Sequence, residues 1–342
     1  MKKFFIILYF CFSSFTVLAD TAEQLFETAQ EALLSDNYIE AAKWFKLAAN
    51  QGNVKAQTSL GDLYEFGNGV EQDYIEAAKW FKLAASKDDS YAQYSLALLY
   101  YYGNGVTQDY KEAAKWFKLA ANQGNVKAQG YLGDLYEFGN GVEQDYIEAA
   151  KWFKLAASKD DSYAQYSLAL LYYYGNGVTQ DYKEAAKWFK LSADSGNSDA
   201  QKFFGIMYYY SKGVTQDYIE AAKWFKLAAE QGDSDAQTLF GVMNYQGEGI
   251  TQDYKEAAKW LTLAAEQGDS KAQVVLGSLY ASGEGVRKDL IYAHMWSNIA
   301  GSIGESKGIE LRESIAQHMT KKQITKSQKL AKECVAKKYK SC

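Results

Sequence analysis

The chain has 342 residues, 48% of them hydrophobic and 23% charged, with 37 basic and 42 acidic side chains for a formal net charge of −5. That hydrophobic content excludes a disordered chain, and the length suits two ordinary domains or one extended repeat array. The acidic balance offers no general grip on nucleic acid.

The first elements are read from the N-terminus. Met1-Lys2-Lys3 is a short positive region, residues 4–12 form an apolar run, and Val17-Leu18-Ala19 places small residues before Asp20. This pattern predicts a secretory signal peptide over 1–19, and therefore export to the periplasm or secretion. The apolar run is well short of the roughly 20 residues that a membrane span needs. Cleavage after Ala19 leaves 35 basic and 42 acidic side chains, a balance of −7, and two cysteines, Cys334 and Cys342. An even pair in an exported chain invites a disulfide. Eight positions apart, the two would lie about 12 Å apart along a helix, so a bridge requires the chain to leave the helix near Lys337 and turn back.

From there a repeat takes over. The eight tryptophans, Trp44 through Trp296, recur every 36 residues, and Ala-Gln recurs at 56, 92, 128, 164, 200, 236 and 272. Such a period marks a solenoid. Seven units fill 56–307, a related helix pair occupies 20–55, and 308–342 departs from the pattern as a C-terminal cap with a basic tail. A longer period lies above the first. Residues 50–121 and 122–193 differ only at Thr58/Gly130, Ser59/Tyr131 and Ala120/Ser192, a 72-residue duplication. A block held twice is a poor place for a unique catalytic site and a good one for an extended surface.

Within a unit, Ala56, Leu60, Leu63 and Tyr64 share one face of a first helix over about 56–66. Tyr74, Ala77, Ala78, Phe81, Ala84 and Ala85 share one face of a second over about 74–85. Asp73 with Glu76 predicts a capping box, repeated at Asp109/Glu112, Asp145/Glu148, Asp181/Glu184, Asp217/Glu220 and Asp253/Glu256. Glycine at 52, 124, 196, 232, 268 and 304 suits a left-handed helix end, with Asp88 and Asp160 in its place in two units. Between the helices, Gly67-Asn68-Gly69 resembles a phosphate-binding loop. It follows a helix rather than a strand and lacks the Lys-Ser/Thr of such loops, so it reads as a turn repeated with the array.

The unit "AQxxLGxLYxxGxGVxQDYxEAAKWFKLAAxxG" resembles the Sel-one-like repeat (SLR), a 36-residue relative of the tetratricopeptide repeat, and the 20–55 pair resembles a tetratricopeptide repeat itself. The resemblance implies an all-α, right-handed superhelical solenoid of antiparallel helix pairs. It also implies adaptor work on protein or peptide partners by a monomeric, non-catalytic chain without cofactors. Some cysteine-rich exported members are described as penicillin-binding or weakly β-lactamase-like and carry a cysteine bridge in each repeat. No repeat of this chain contains a cysteine. That hydrolase reading and a glycan-binding envelope role remain the alternatives.

By the same resemblance, the first helix of each pair lines a concave groove. The groove positions implied are Asp62, Glu65 and Phe66; Tyr91, Tyr94, Tyr101 and Tyr102; Asp134, Glu137 and Phe138; Tyr163, Tyr166, Tyr173 and Tyr174; and Tyr209 and Tyr210. Acidic and tyrosine-rich bands would then alternate. Tyrosine supplies area, a polar tip and little entropy to lose, which suits recognition. No metal or catalytic motif accompanies them: His294 and His318 stand outside any repeated constellation and read as surface or edge histidines. In the cap, residues 310–319 read as one helix, and Thr320 with Gln323 caps the next. Residues 321–342 carry eight lysines and one acid, Glu333, so this tail is a candidate for contact with an anionic surface.

Overall fold

The computed structural model describes residues 21–340 and Cys342; the signal-peptide reading of 1–19 lies outside them. Among the described residues there are eighteen α-helices and no strand. The order is α1 (Ala22–Leu34), α2 (Tyr38–Asn50), α3 (Val54–Phe66), α4 (Tyr74–Ala85), α5 (Ser90–Tyr102), α6 (Tyr110–Asn122), α7 (Val126–Phe138), α8 (Tyr146–Ala157) and α9 (Ser162–Tyr174). It continues through α10 (Tyr182–Asp194), α11 (Ser198–Tyr209), α12 (Tyr218–Glu230), α13 (Ser234–Gln246), α14 (Tyr254–Ala265), α15 (Ser270–Ser282), α16 (Leu290–Ser302), α17 (Ser306–Ala316) and α18 (Lys321–Ala336). The helices fall into two compact units, one ending at Ala128 and one starting at Gln129. Within each unit, sequence neighbours pack as antiparallel pairs.

The same local chemistry forms every pair. Alanines of the second helix are fully buried and let the backbones approach, while a phenylalanine one position after each of the first six tryptophans fills the centre. Phe45, Phe81 and Phe117 in the first unit, and Phe153, Phe189 and Phe225 in the second, are essentially inaccessible. Burying a ring of this kind contributes roughly 1.5–3 kcal/mol. The tryptophans that mark the period in the sequence are mostly half-buried, and only Trp260 and Trp296 enter the core. The glutamine of each Ala-Gln is buried and ties its helix to the preceding one: Gln57 Nε2 donates to the Ala49 carbonyl at 3.1 Å and Gln165 Nε2 to that of Ala157 at 3.2 Å.

The predicted capping box forms only by half. Asp73 accepts from the backbone N–H groups of Ile75 and Glu76 at 2.9 and 3.1 Å. The reciprocal bond from Glu76 has no donor to take, because the Asp73 N–H is donated to the Tyr64 carbonyl at 2.9 Å. Glu76 instead pairs with Lys79. The same substitution of partners recurs at Asp145 and Glu148, where Lys151 takes the carboxylate. Reciprocal boxes close at Thr21/Gln24 and at Thr320/Gln323.

The glycine loop holds neighbouring pairs together. Gly67 ends α3 in the left-handed region at φ 73°. Gly69, at φ 71°, lies against the start of α2, where a Cβ would stand 2.2 Å from the Tyr38 carbonyl carbon. Gly177 meets Tyr146 in the same way at 2.3 Å. The second glycine is thus required for a close approach as well as for its dihedral.

At the C-terminus, α17 begins at Ser306 and ends at Ala316, several residues before the 310–319 span that the sequence suggests. The residues α18 buries, Ser327, Ala331 and Cys334, face α16. His294 is buried rather than at an edge: its Nδ1 lies 2.8 Å from the Ser327 hydroxyl, which also donates to the Ile324 carbonyl at 2.8 Å. Burial, with the Arg312 charge behind it, holds the imidazole below its ordinary pKa. Beyond α18, Lys338 and Tyr339 take positive φ, turn the chain back, and a disulfide joins Cys334 to Cys342 with the Cα atoms 5.3 Å apart.

Candidate functional site

The first helices α3, α5, α7, α9 and α11 carry the implied groove positions, with Tyr210 at the C-cap of α11. The structure separates those positions into three environments. In the first, the last residue before each loop is an exposed aromatic. Phe66 and Tyr102 of the first unit are 62% and 55% exposed, and Phe138, Tyr174 and Tyr210 of the second are 62%, 56% and 60% exposed. These five stand at the same place in consecutive repeats, where the helix ends and no following turn covers the ring.

In the second environment the tyrosine is part of an aromatic stack. Tyr101 packs against Tyr102, Tyr110 and Phe117 at ring-centroid distances of 4.9, 5.2 and 6.3 Å. Tyr173 repeats this with Tyr174, Tyr182 and Phe189. Tyr94 stacks on Tyr91 and Phe117, and Tyr166 on Phe189 and Phe203. Tyr209 stacks on Tyr210 and Tyr218, and its hydroxyl donates to Glu248 Oε2 at 2.6 Å. These rings fill the space between helices, and pairs of this geometry contribute about 0.5–1.5 kcal/mol beyond their burial.

The third environment is acidic. In the second unit the Tyr163 hydroxyl donates to Asp134 Oδ1 at 2.9 Å. Burial first, and then the charges of Glu137 and Asp161, push the Asp134 carboxyl up to about 7. Glu137 is raised by burial as well. Burial and the Asp134 charge raise Tyr163 above its ordinary value. In the first unit Asp62 is pushed up to about 7 by burial, with Glu65 and Asp89 adding to it, and its Oδ1 finds no hydrogen-bond partner. Burial raises Glu65 too, and burial followed by the Asp62 charge raises Tyr91 to about 12. A desolvated carboxylate beside a second one favours the protonated form.

One further group stands where the repeat is broken. Lys202, at the third position of its unit, is only 12% exposed along its side chain and reaches Asp233 at 2.7 Å, Asp199 at 3.2 Å and Asp235 at 3.3 Å. Burial pulls its pKa down, but the bonds and charges of Asp233 and Asp199 outweigh this and hold it above the ordinary range. Lys202 borders a cavity of about 300 Å³ between α11, α13 and α15. The available signal was a break in the repeat, since the equivalent positions are Thr58, Tyr94, Gly130 and Tyr166.

Among the described residues no set of three or more His, Cys, Asp or Glu is arranged to hold a metal ion. The Ser327–His294 contact is enclosed between α16 and α18, so it ties the cap to the array and presents no nucleophile. No helix of the described residues is long and apolar enough to cross a membrane.

The Sel1 repeat family matches eight consecutive segments, at 31–53, 54–89, 90–125, 126–161, 162–197, 198–233, 234–269 and 270–304. The chain belongs to the Sel1 repeat family. A Sel1 repeat protein from Oxalobacter formigenes is similar in structure, at TM-score 0.67 and 32% identity, covering 86% of this chain and 87% of that one. A protective antigen of uropathogenic Escherichia coli with an SLR fold is 30% identical over 93% of this chain and 84% of its own, at TM-score 0.48. A protein of Helicobacter pylori strain J99 named "Putative beta-lactamase HcpD" is 38% identical over 73 residues, 21% of this chain and 24% of that protein. The alignment thus spans about a quarter of that relative's length. Sel1 repeat proteins are in general non-catalytic helical solenoids that mediate protein–protein interactions, and this chain has their all-helical repeat architecture.

Proposed function

We propose that this Sel1 repeat chain is a non-catalytic scaffold that holds a segment of a protein partner against the face formed by its first helices, in the bacterial envelope or outside the cell. The observation that carries this reading is the exposed aromatic at the end of consecutive first helices within each unit, Phe66 and Tyr102 in the first and Phe138, Tyr174 and Tyr210 in the second. A ring more than half exposed stabilises the fold little, and a row of such rings at one repeat position is a recognition surface. Export is supported by the charged, apolar and small-residue order of residues 1–19 and by the Cys334–Cys342 bridge, which persists in oxidising compartments.

The test is crosslinking in intact cells followed by mass spectrometry, with a variant in which Phe66, Tyr102, Phe138 and Tyr174 are all changed to serine. The helical circular-dichroism signal should be retained, while capture of crosslinked partners falls by about tenfold or more, as loss of several aromatic anchors implies. Capture equal to wild type would refute the reading.

A further inference from the structure

The cavity beside Lys202 adds a chemical preference to the scaffold reading on which it rests. Its floor is apolar: Phe203 and Ile206 from α11 and Leu239 from α13, with the Tyr210 ring at the edge. Its rim is acidic on balance. Asp235 and Asp269 line the opening with Lys202 and Lys271, and Asp199 and Asp233 pair with Lys202 beside it, so four carboxylates stand against two ammonium groups.

The decisive point is how Lys202 is used. An ammonium has three N–H donors, and Lys202 meets three carboxylates, those of Asp233, Asp199 and Asp235. No donor remains for an anionic ligand. The carboxylates are not used up in the same way. Asp235 keeps a side chain 67% exposed and Asp199 one 56% exposed, so both retain lone pairs facing solvent. Lys202 therefore anchors the acids and leaves their outer oxygens free to accept. A cavity of this size admits an apolar side chain, and an acidic rim draws cationic neighbours.

We propose that this cavity receives an apolar side chain of a partner's lysine- or arginine-rich segment, whose cationic groups lie on the Asp199, Asp235 and Asp269 carboxylates. The cavity supplies burial for one residue and the rim supplies the choice of sign. Lys271, which also lines the cavity, sets the direction in which a charged segment lies.

The experiment uses the full chain and three dye-labelled synthetic peptides read by fluorescence anisotropy. One alternates lysine, leucine and serine, the second has glutamate for each lysine, and the third has alanine for each leucine. The lysine–leucine peptide should bind about tenfold tighter than either control, a difference of about 1.4 kcal/mol, and its affinity should fall as salt rises. Asp235→Lys, at an exposed helix start, should cost about tenfold with unchanged circular dichroism, and Leu239→Ala should weaken binding without changing the sign preference. Equal affinity for the lysine and glutamate peptides, no effect of Asp235→Lys, or no binding by any peptide overturns the proposal.

The two readings fail separately. If the glutamate peptide binds best and the four-serine variant loses it, the scaffold stands and the cationic preference falls. If the lysine–leucine peptide binds as expected but cells yield no partner dependent on the aromatic row, the preference stands and the scaffold reading falls.

Discussion

Replacing Asp134 with asparagine should stabilise the protein at neutral and alkaline pH. In the fold the carboxyl titrates near 7, while its ordinary value is 3.8. Between those values the folded state binds more protons than the unfolded state, so the free energy of unfolding falls as pH rises. The stabilising contribution of the protonated carboxyl is complete below about pH 4 and is lost as pH rises through 7. At about 1.36 kcal/mol per tenfold change in proton affinity, the rise from 3.8 to about 7 sets a ceiling of ~4 kcal/mol, and the solvent-facing side of the carboxylate reduces the expected effect to about 1–2 kcal/mol. Asparagine keeps an oxygen to accept from Tyr163, so the 2.9 Å bond survives. Chemical denaturation at pH 4, 5, 6, 7 and 8 should give matching curves at pH 4 and a variant more stable by about 1–2 kcal/mol at pH 8. Repeat arrays open locally, so amide exchange in α9 should show the same pH-dependent gain. A variant with the wild-type pH slope, or one less stable at pH 8, would refute the desolvation argument.

Two further outcomes follow from the packing. Gly177→Ala places a Cβ 2.3 Å from the Tyr146 carbonyl carbon at φ 69°, so the thermal midpoint should drop, with a cost of at least about 2 kcal/mol; an unchanged midpoint would remove the loop's clamping role. Cys334→Ser opens a short loop and should cost about 2–3 kcal/mol on chain-entropy grounds, read as faster amide exchange in α18. Intact mass before and after reduction should differ by about 2 Da in wild type only, and free thiols in protein from an oxidising compartment would contradict the bridge.

The architecture is legible because it is periodic: alanines at helical spacing and a fixed 36-residue interval leave one solution for the pairs. What the period concealed was which residue does what within it. The tryptophans stand out in the sequence, yet the phenylalanines beside them fill the core, since the indole is wide enough to bridge to the neighbouring pair while the phenyl ring fits between two helices. The Asp-x-x-Glu spacing pointed to a reciprocal cap, but a backbone carbonyl from the preceding helix, brought there by the loop, had taken the N–H. The implied groove residues proved to be of three kinds because single positions cannot report whether the next ring in the stack is present. Lys202 was missed for the opposite reason. It breaks the pattern, and its three carboxylates come from two helices that only the fold brings together.

Within each unit the loop clamp recurs from repeat to repeat, at Gly69 and Gly105 in the first and at Gly177, Gly213, Gly249 and Gly285 in the second, whereas in the duplicated block the acidic and tyrosine-rich sequences alternate with every second repeat. Gaining or losing a single repeat would leave each junction chemically intact and the chain folded, but it would set two like faces side by side. Gaining or losing two would preserve the alternation. The clamp is therefore blind to whether the count of repeats is odd or even, and the proposed recognition would not be.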